Sequence, residues 1–283
     1  MKLKPGLLEV HVAVGLFGLA GLFGKWLPLS PLLIVLGRVV FASLALGLFL
    51  AFARSSLRDL LRESGGLLVV LGILLAAHWA AFFQAVQVSS VAVGLLSYAC
   101  FPVFTVLLEP LLFKERLDAG NLGLAGLCLA GVFFIVPRFN PADATYQGVL
   151  WGLFSGLMFS FLAVFNRRLA QRHASPAIAF VEDLTAAVVL CPILFLRTPS
   201  LDAGNLALLA ALGIFCTAGA HTLFIQGMRR VKAQTASIIS SLEPVYGIVL
   251  AFWLLGERPS LRTLAGGAII LGTVTVISLR GRA

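Results

Sequence analysis

Four charged residues stand inside stretches otherwise built of Leu, Val, Ala, Phe and Gly: Arg38, Glu182, Asp183 and Glu243. An acidic side chain at the centre of an apolar helix costs on the order of 3 kcal/mol even on a lenient insertion scale. Glu243, immediately before Pro244, must therefore face protein or water. The cost of its ionised form is relieved by a proton, which would make it a coupling group, or by the amine of a bound substrate; alternatively it is a hydrogen-bonded brace for a kink at Pro244. Arg38 and Asp183 each lie about seven residues into their own apolar segments, after Pro31 and Pro176. Opposite charges at corresponding depths make either a structural ion pair or a clamp for the carboxylate and amine of a zwitterion. Glu182 points about 100° away from Asp183 on a helix, so only one of the two is expected to share the side of Arg38.

His78, Trp79 and His221 also fall within apolar runs. Histidine titrates near neutrality and can pass protons, while tryptophan offers a stacking face. The plainer alternative is a histidine hydrogen-bonded to a neighbouring helix. Tyr98 and Tyr246 flank two prolines, Pro102 and Pro244, and with Trp79 suggest an aromatic-lined cavity. Trp26, Trp151 and Trp253 sit nearer the ends of their segments and suit the membrane interface.

The elements that position these groups follow from composition. Apolar residues make up 60% of the 283 and charged residues 12%, against roughly half and a quarter in soluble domains. A soluble domain of this length could not cover such a surface, so the bilayer is the main solvent. Crossing it takes about 20 apolar residues as a helix, because lipid offers no partner to backbone amides. About ten segments qualify: Leu8–Leu27, Pro31–Ala53, Gly66–Gln84, Ser89–Leu112, Ala119–Val136, Gln147–Phe165, Pro176–Leu196, Gly204–Gln226, Ala233–Leu255 and Leu261–Leu279.

The formal charge of +9 is a matter of topology and gives no reason to expect a nucleic-acid partner. With both termini in the cytoplasm, the inner side collects Lys2, Lys4, Arg54, Arg58, Arg62, Lys114, Arg116, Arg167, Arg168, Arg172, Arg229, Arg230, Lys232, Arg280 and Arg282. The outer side holds Lys25, Arg138, Arg197, Arg258 and Arg262, an asymmetry of about three to one that follows the positive-inside rule. The N-terminal apolar run continues to Leu27 without a small-residue cleavage site and is expected to be a permanent helix. Cys100, Cys128, Cys191 and Cys216 lack metal-ligand spacing and are expected to pack as small apolar groups.

Phe101–Leu117 and Glu243–Leu261 are two versions of one pattern: an early proline, then an apolar run, then an acidic-basic pair, Glu115-Arg116 or Glu257-Arg258. One offset of 142 residues aligns the prolines, those pairs, and Gln84 with Gln226. Val14–Phe17 likewise matches Trp151–Phe154, and Ser30-Pro31 matches Ser175-Pro176, where serine could cap a helix that proline begins. Five spans per half is odd, so the second copy enters the membrane from the opposite side. Such inverted repeats underlie many secondary transporters, with substrate at the midplane. Each proline frees a carbonyl four residues earlier, that of Tyr98 or Ser240, for substrate, water or a hydroxyl; a passive kink is the alternative. The Glu-Arg pairs suit capping or gate-locking, and Glu109 can reach the headgroup region. Gly152 and Gly156, with Gly15, Gly18, Gly21 and Gly24, permit close helix approach. Gly126, Gly131, Gly266 and Gly267 could serve packing within the chain or between two copies.

On these residues the chain resembles the drug/metabolite transporter superfamily, with two EamA-type repeats expected over 1–140 and 141–283. The resemblance implies an all-α integral membrane protein of ten helices, both termini cytoplasmic, moving small metabolites. Small multidrug relatives in that superfamily carry a carboxylate in the middle of the first helix; here Glu9 lies only at its end. GLFGKW around Lys25 lacks the first glycine and final Ser/Thr of a phosphate-binding loop, and neither an HExxH motif nor a Ser/His/Asp arrangement is present. The expectation is a gradient-driven exporter of amino acids or related compounds in the inner membrane, not an enzyme. It would use no cofactor or metal, could use protons, and could act as monomer or homodimer. Uncoupled facilitated diffusion is the first alternative, and a non-transporting intramembrane enzyme or scaffold the second. The expected cavity lies among spans one, three, four, six, eight and nine.

Overall fold

The computed structural model describes residues 6–113, 119–196, 201–231 and 239–280. Regular structure among them is entirely helical. The first half holds α1 (Leu7–Trp26), α2 (Pro31–Phe52), α3 (Arg58–Val88), α4 (Val91–Tyr98), α5 (Phe101–Phe113) and α6 (Ala119–Ile135). The second holds α7 (Ala144–Ala170), α8 (Ser175–Leu190), α9 (Ile193–Leu196), α10 (Ala203–Gly213), a π-helical stretch at Ile214–Gly219, α11 (Ala220–Met228), α12 (Glu243–Leu255) and α13 (Leu261–Arg280). Among the described residues seven helical stretches are long and apolar enough to cross a bilayer, and three shorter apolar helices accompany them. Large apolar side chains such as Phe52, Phe195 and Leu261 are more than four-fifths exposed, a surface that only lipid can cover.

Most expected spans match a helix within a few residues. The third is longer, because α3 continues eight residues before Gly66 through polar Arg58–Ser64. The ninth begins outside the described residues, as do Glu115 and Arg116; the side chain of Glu109 also lies outside them.

Both marked prolines break their helices. The α4 helix stops at Tyr98, Ala99 and Cys100 form a turn, and α5 restarts at Phe101. Ser241 and Leu242 form the equivalent turn before α12, again 142 residues on. Proline has no amide to continue the ladder and suits the first turn of a new helix. The serines before the other two prolines do not cap: Ser30 makes no side-chain cap bond, and the Ser175 hydroxyl donates instead to Gln226 Oε1 at 3.1 Å. Capping side chains are found where aspartate or serine stands free of such a partner, at Asp143 for α7 and Ser90 for α4.

Glycines let the halves interlock. A Cβ on Gly18 of α1 would lie 3.0 Å from the Glu243 carbonyl oxygen, so α1 of the first half packs on broken α12 of the second. In the mirrored arrangement α7 packs on α4 and α5, and a Cβ on Gly156 would lie 2.8 Å from the Tyr98 carbonyl oxygen. The α6 and α13 helices meet through Gly131 and Gly266, a contact within the chain. Gly126, by contrast, has open space around it. Two apolar clusters result, the larger around α1–α4, α7, α8 and α11 and the smaller between α4–α6, α7 and α13.

Cys100, Cys128 and Cys216 are buried, the first two with sulfurs 3.4 Å apart, whereas Cys191 is exposed beside the Pro192 break that ends α8.

Candidate functional site

The helix breaks and the π-helical stretch meet around one cavity with about 430 Å³ of empty space, its partly open mouth included. Its wall is formed by Phe17, Ala20, Arg38, Leu75, His78, Trp79, Phe82, Tyr98, Phe159, His221 and Glu243.

Arg38 is the most constrained polar group in it. Its side chain is 1% exposed, and its guanidinium carbon lies 3.8 Å from the centre of the Trp79 ring. Nε donates to Thr217 Oγ1 at 2.9 Å and Nη2 to the Cys216 carbonyl at 3.4 Å. The second acceptor depends on the π-helical stretch. The amide of Ala220, which in an α-helix would bond to Cys216, bonds instead to the carbonyls of Phe215 and Thr217. A widened turn thus turns a backbone acceptor toward the guanidinium. Guanidinium carries five N–H donors. Nη1 has no acceptor among the described residues, which leaves a directed pair of donors for an anion.

Glu243 supplies the opposite charge. It is the first residue of α12, so the break at Pro244 puts its carboxylate at a helix N-terminus, where free amides favour an anion. It is 5% exposed. No salt bridge joins it to Arg38.

Aromatic rings fill the space between. Tyr98, the last residue of α4, stacks on Phe101 with centroids 5.5 Å apart and meets His78 at 5.3 Å and Phe159 at 5.4 Å. His78 Nδ1 lies 3.0 Å from the Ser155 carbonyl, which can only accept, and 2.8 Å from the Ser155 hydroxyl. Its proton therefore belongs on Nδ1, leaving Nε2 as the ring acceptor.

Six sequence-marked residues meet here: Glu243, Trp79, His78, Tyr98, Arg38 and His221. Two do not. Tyr246 is 37% exposed and packs by its Cβ near Gly18. Asp183 is fully buried but outside the wall, without a salt bridge to Arg38 and with both carboxylate oxygens lacking partners among the described residues. The expected Arg38–Asp183 pair is thus not formed, because Thr217, Cys216 and Trp79 hold the guanidinium instead. Arg38 also adds the second span to the expected set of cavity helices. The Tyr98 carbonyl lies against Gly156 on α7.

Sequence reading missed Thr217, the Cys216 carbonyl, Ser155 and the pairing of Glu182 with Asn166 and His221. No residue type in Ile214–Gly219 marks a π-helical turn. Glu182 was seen but not assigned a partner.

Comparison with known proteins decides the family. The model of the EamA-like transporter family matches residues 4–136 and 146–279, nearly the whole chain in two copies. The chain belongs to this family. Among the relatives of this EamA protein, an uncharacterized transporter of Archaeoglobus fulgidus is 31% identical over 84% of this chain and 85% of its own. The uncharacterized transporter YxxF of Bacillus subtilis is 24% identical over 99% and 92%. The riboflavin transporter ImpX of Fusobacterium nucleatum is 22% identical over 62% of each. A solved crystal structure superposes with a TM-score of 0.70, covering 99% of this chain and 98% of that one at 22% identity, which shows a shared fold. The EamA chain is therefore a multi-pass membrane protein of a transporter family, with two inverted five-helix repeats.

Proposed function

We propose that this EamA protein is a secondary transporter that exports or exchanges small zwitterionic metabolites, amino acids foremost, across the inner membrane by alternating access. One observation carries the substrate class. A buried guanidinium held through Nε and Nη2 alone and a buried carboxylate line the same aromatic cavity. An α-carboxylate on Arg38 and an α-amine toward Glu243 would satisfy both, while Trp79, Tyr98 and Phe159 hold the side chain. Bidentate recognition of a planar carboxylate is what arginine does better than lysine. His78 Nε2 provides a further acceptor.

The charge asymmetry of the loops supports cytoplasmic termini, and the two matched segments support repeats at 1–140 and 141–283. The turns before Pro102 and Pro244 serve as hinges. Alternating access then moves α4–α5 and α12 against α7 and α1, whose glycines already bring these backbones close.

Counterflow tests the reading. Proteoliposomes loaded with the twenty protein amino acids should take up a radiolabelled mixture of the same compounds at pH 6 and pH 8. Exchange only of uncharged flat heterocycles, riboflavin included, would contradict the zwitterion assignment.

A further inference from the structure

Beside the cavity, and buried from it, lies a second polar group that substrate binding does not use. Glu182 of α8 is fully buried, its Oε2 3.5 Å from His221 Nε2 and 3.2 Å from Asn166 Nδ2, which donates to it. Glu182 Oε1, Asn166 Oδ1 and His221 Nδ1 have no partner among the described residues. Three helices of one half, α7, α8 and α11, converge on this carboxylate. His221 is its only neighbour in the trio that also lines the cavity, where its ring meets Trp79 at 6.0 Å.

The repeat shows that the fold does not require these groups. By the offset that aligns Ser30-Pro31 with Ser175-Pro176, Glu182 corresponds to Gly37, which packs on Leu209. By the offset that aligns Pro102 with Pro244, His221 corresponds to Trp79. The first half therefore builds the same corner without an acid or an imidazole. A buried carboxylate is costly in lipid, and an arrangement that packing does not need points to a task.

We propose that Glu182 is the proton-coupling carboxylate of the transporter, reached from the cavity through His221; this rests on the reading of the cavity as a substrate site. His221 Nδ1 is buried in this conformation, so a proton reaches it as the cavity opens, and its arrival is balanced by departure of the Nε2 proton to Glu182 Oε2. The imidazole ends neutral with its hydrogen on Nδ1, and the carboxylate ends as a carboxylic acid. Reversal after reorientation returns the proton to the cavity. Asn166 is a positioning residue: its amide holds Oε2 and leaves Oε1 free. The charged and titratable groups around the pair are Arg38 on α2, His78 on α3, Asp183 on α8 and Glu243 on α12, while α1 presents Phe17 and Ala20 to the same cavity. A cationic substrate group near Glu243 or a proton at His221 would add like charge beside Arg38, so the two compete electrostatically.

The test separates exchange from driven accumulation, using full-length protein in liposomes and a radiolabelled mixture of the twenty amino acids. Wild type should show counterflow and, with an imposed pH gradient, accumulation. Glu182→Gln should retain counterflow and lose accumulation, falling to the level without a gradient; Glu182→Asp should restore part of it. Accumulation by Glu182→Gln at the wild-type level overturns the inference. So does loss of both activities from monodisperse variant protein, which would mark a structural or substrate-binding role. Wild-type counterflow without any response to a pH gradient overturns the inference and leaves the substrate reading standing; absence of wild-type counterflow sinks both. As an independent readout, adding the mixture to weakly buffered wild type in detergent with a pH dye should change the pH, and no change counts against coupling.

Discussion

Trp79 and His221 occupy equivalent positions of the two repeats, 142 residues apart, and their rings meet edge to face with centroids 6.0 Å apart. Two related residues that touch lie at the axis relating the halves. The cavity is therefore centred on that axis, and its two sides differ in chemistry. The Trp79 face carries the Arg38 guanidinium, and the His221 face leads to Glu182.

Arg38→Lys should raise the apparent Km for amino-acid counterflow about 10- to 100-fold, the range expected when hydrogen bonds to a charged group worth roughly 1.5–3 kcal/mol are lost. A lysine cannot reach Thr217 and the Cys216 carbonyl while presenting a fork to a carboxylate. An unchanged Km would show that the substrate does not touch this side chain.

Glu243→Gln should discriminate between substrates. Amino acids should exchange more slowly than with wild type, whereas carboxylates that lack an amine should be handled equally by both proteins. Competition of unlabelled amino acids and their deaminated analogues against labelled uptake reads the difference.

The α6–α13 contact predicts unequal costs for two similar substitutions. A Cβ at Gly266 would lie 2.6 Å from the Gly131 carbonyl oxygen, and one at Gly126 meets nothing within 4 Å. Gly266→Ala should lose about 1–3 kcal/mol by overpacking, while Gly126→Ala should be neutral or gain up to ~1 kcal/mol from helix propensity. Thermal unfolding midpoints in detergent should fall for the first and not for the second.

Much of this fold was legible because lipid leaves the chain little freedom: an apolar run of about 20 residues is a helix, and a proline within it interrupts the ladder. Pro102 and Pro244 accordingly marked both breaks. Azimuth was less legible. Equal depth of Arg38 and Asp183 said nothing of their distance, and the 100° step between Glu182 and Asp183 could not say that Glu182 would meet His221. The π-helical stretch left no signal, since Ile-Phe-Cys-Thr-Ala-Gly reads as any apolar helical turn. Ser30 and Ser175 misled because a hydroxyl beside a proline can take a tertiary partner, as Ser175 does with Gln226.

Glu257 ties the halves together at one end of the bundle. Gly256, with φ +68°, ends α12 and turns Glu257 so that its Oε2 accepts from the Val91 amide at 3.0 Å, at the start of α4. Burial holds this carboxyl above its ordinary 4.5, opposed by the Val91 amide and by Lys25. The closed contact therefore takes up a proton more readily than an open, hydrated one. Its favourable share is complete below 4.5 and is lost as pH rises through the raised value. Normalised to a free thiol at the same pH, whose own reaction slows as thiolate is lost, labelling of a Ser90→Cys variant by an impermeant maleimide should slow further as pH falls from 7 to 5. Glu257→Ala should abolish that pH dependence, and a dependence that survives it would assign the effect elsewhere.

The central claim is that one cavity reads a carboxylate with Arg38 and an amine with Glu243. Its most direct measurement is counterflow of the labelled amino-acid mixture by wild type, Arg38→Lys and Glu243→Gln side by side in proteoliposomes. The account predicts rapid exchange by wild type and strongly slowed exchange by each variant. Exchange unaffected by both substitutions, or none by wild type, would contradict it.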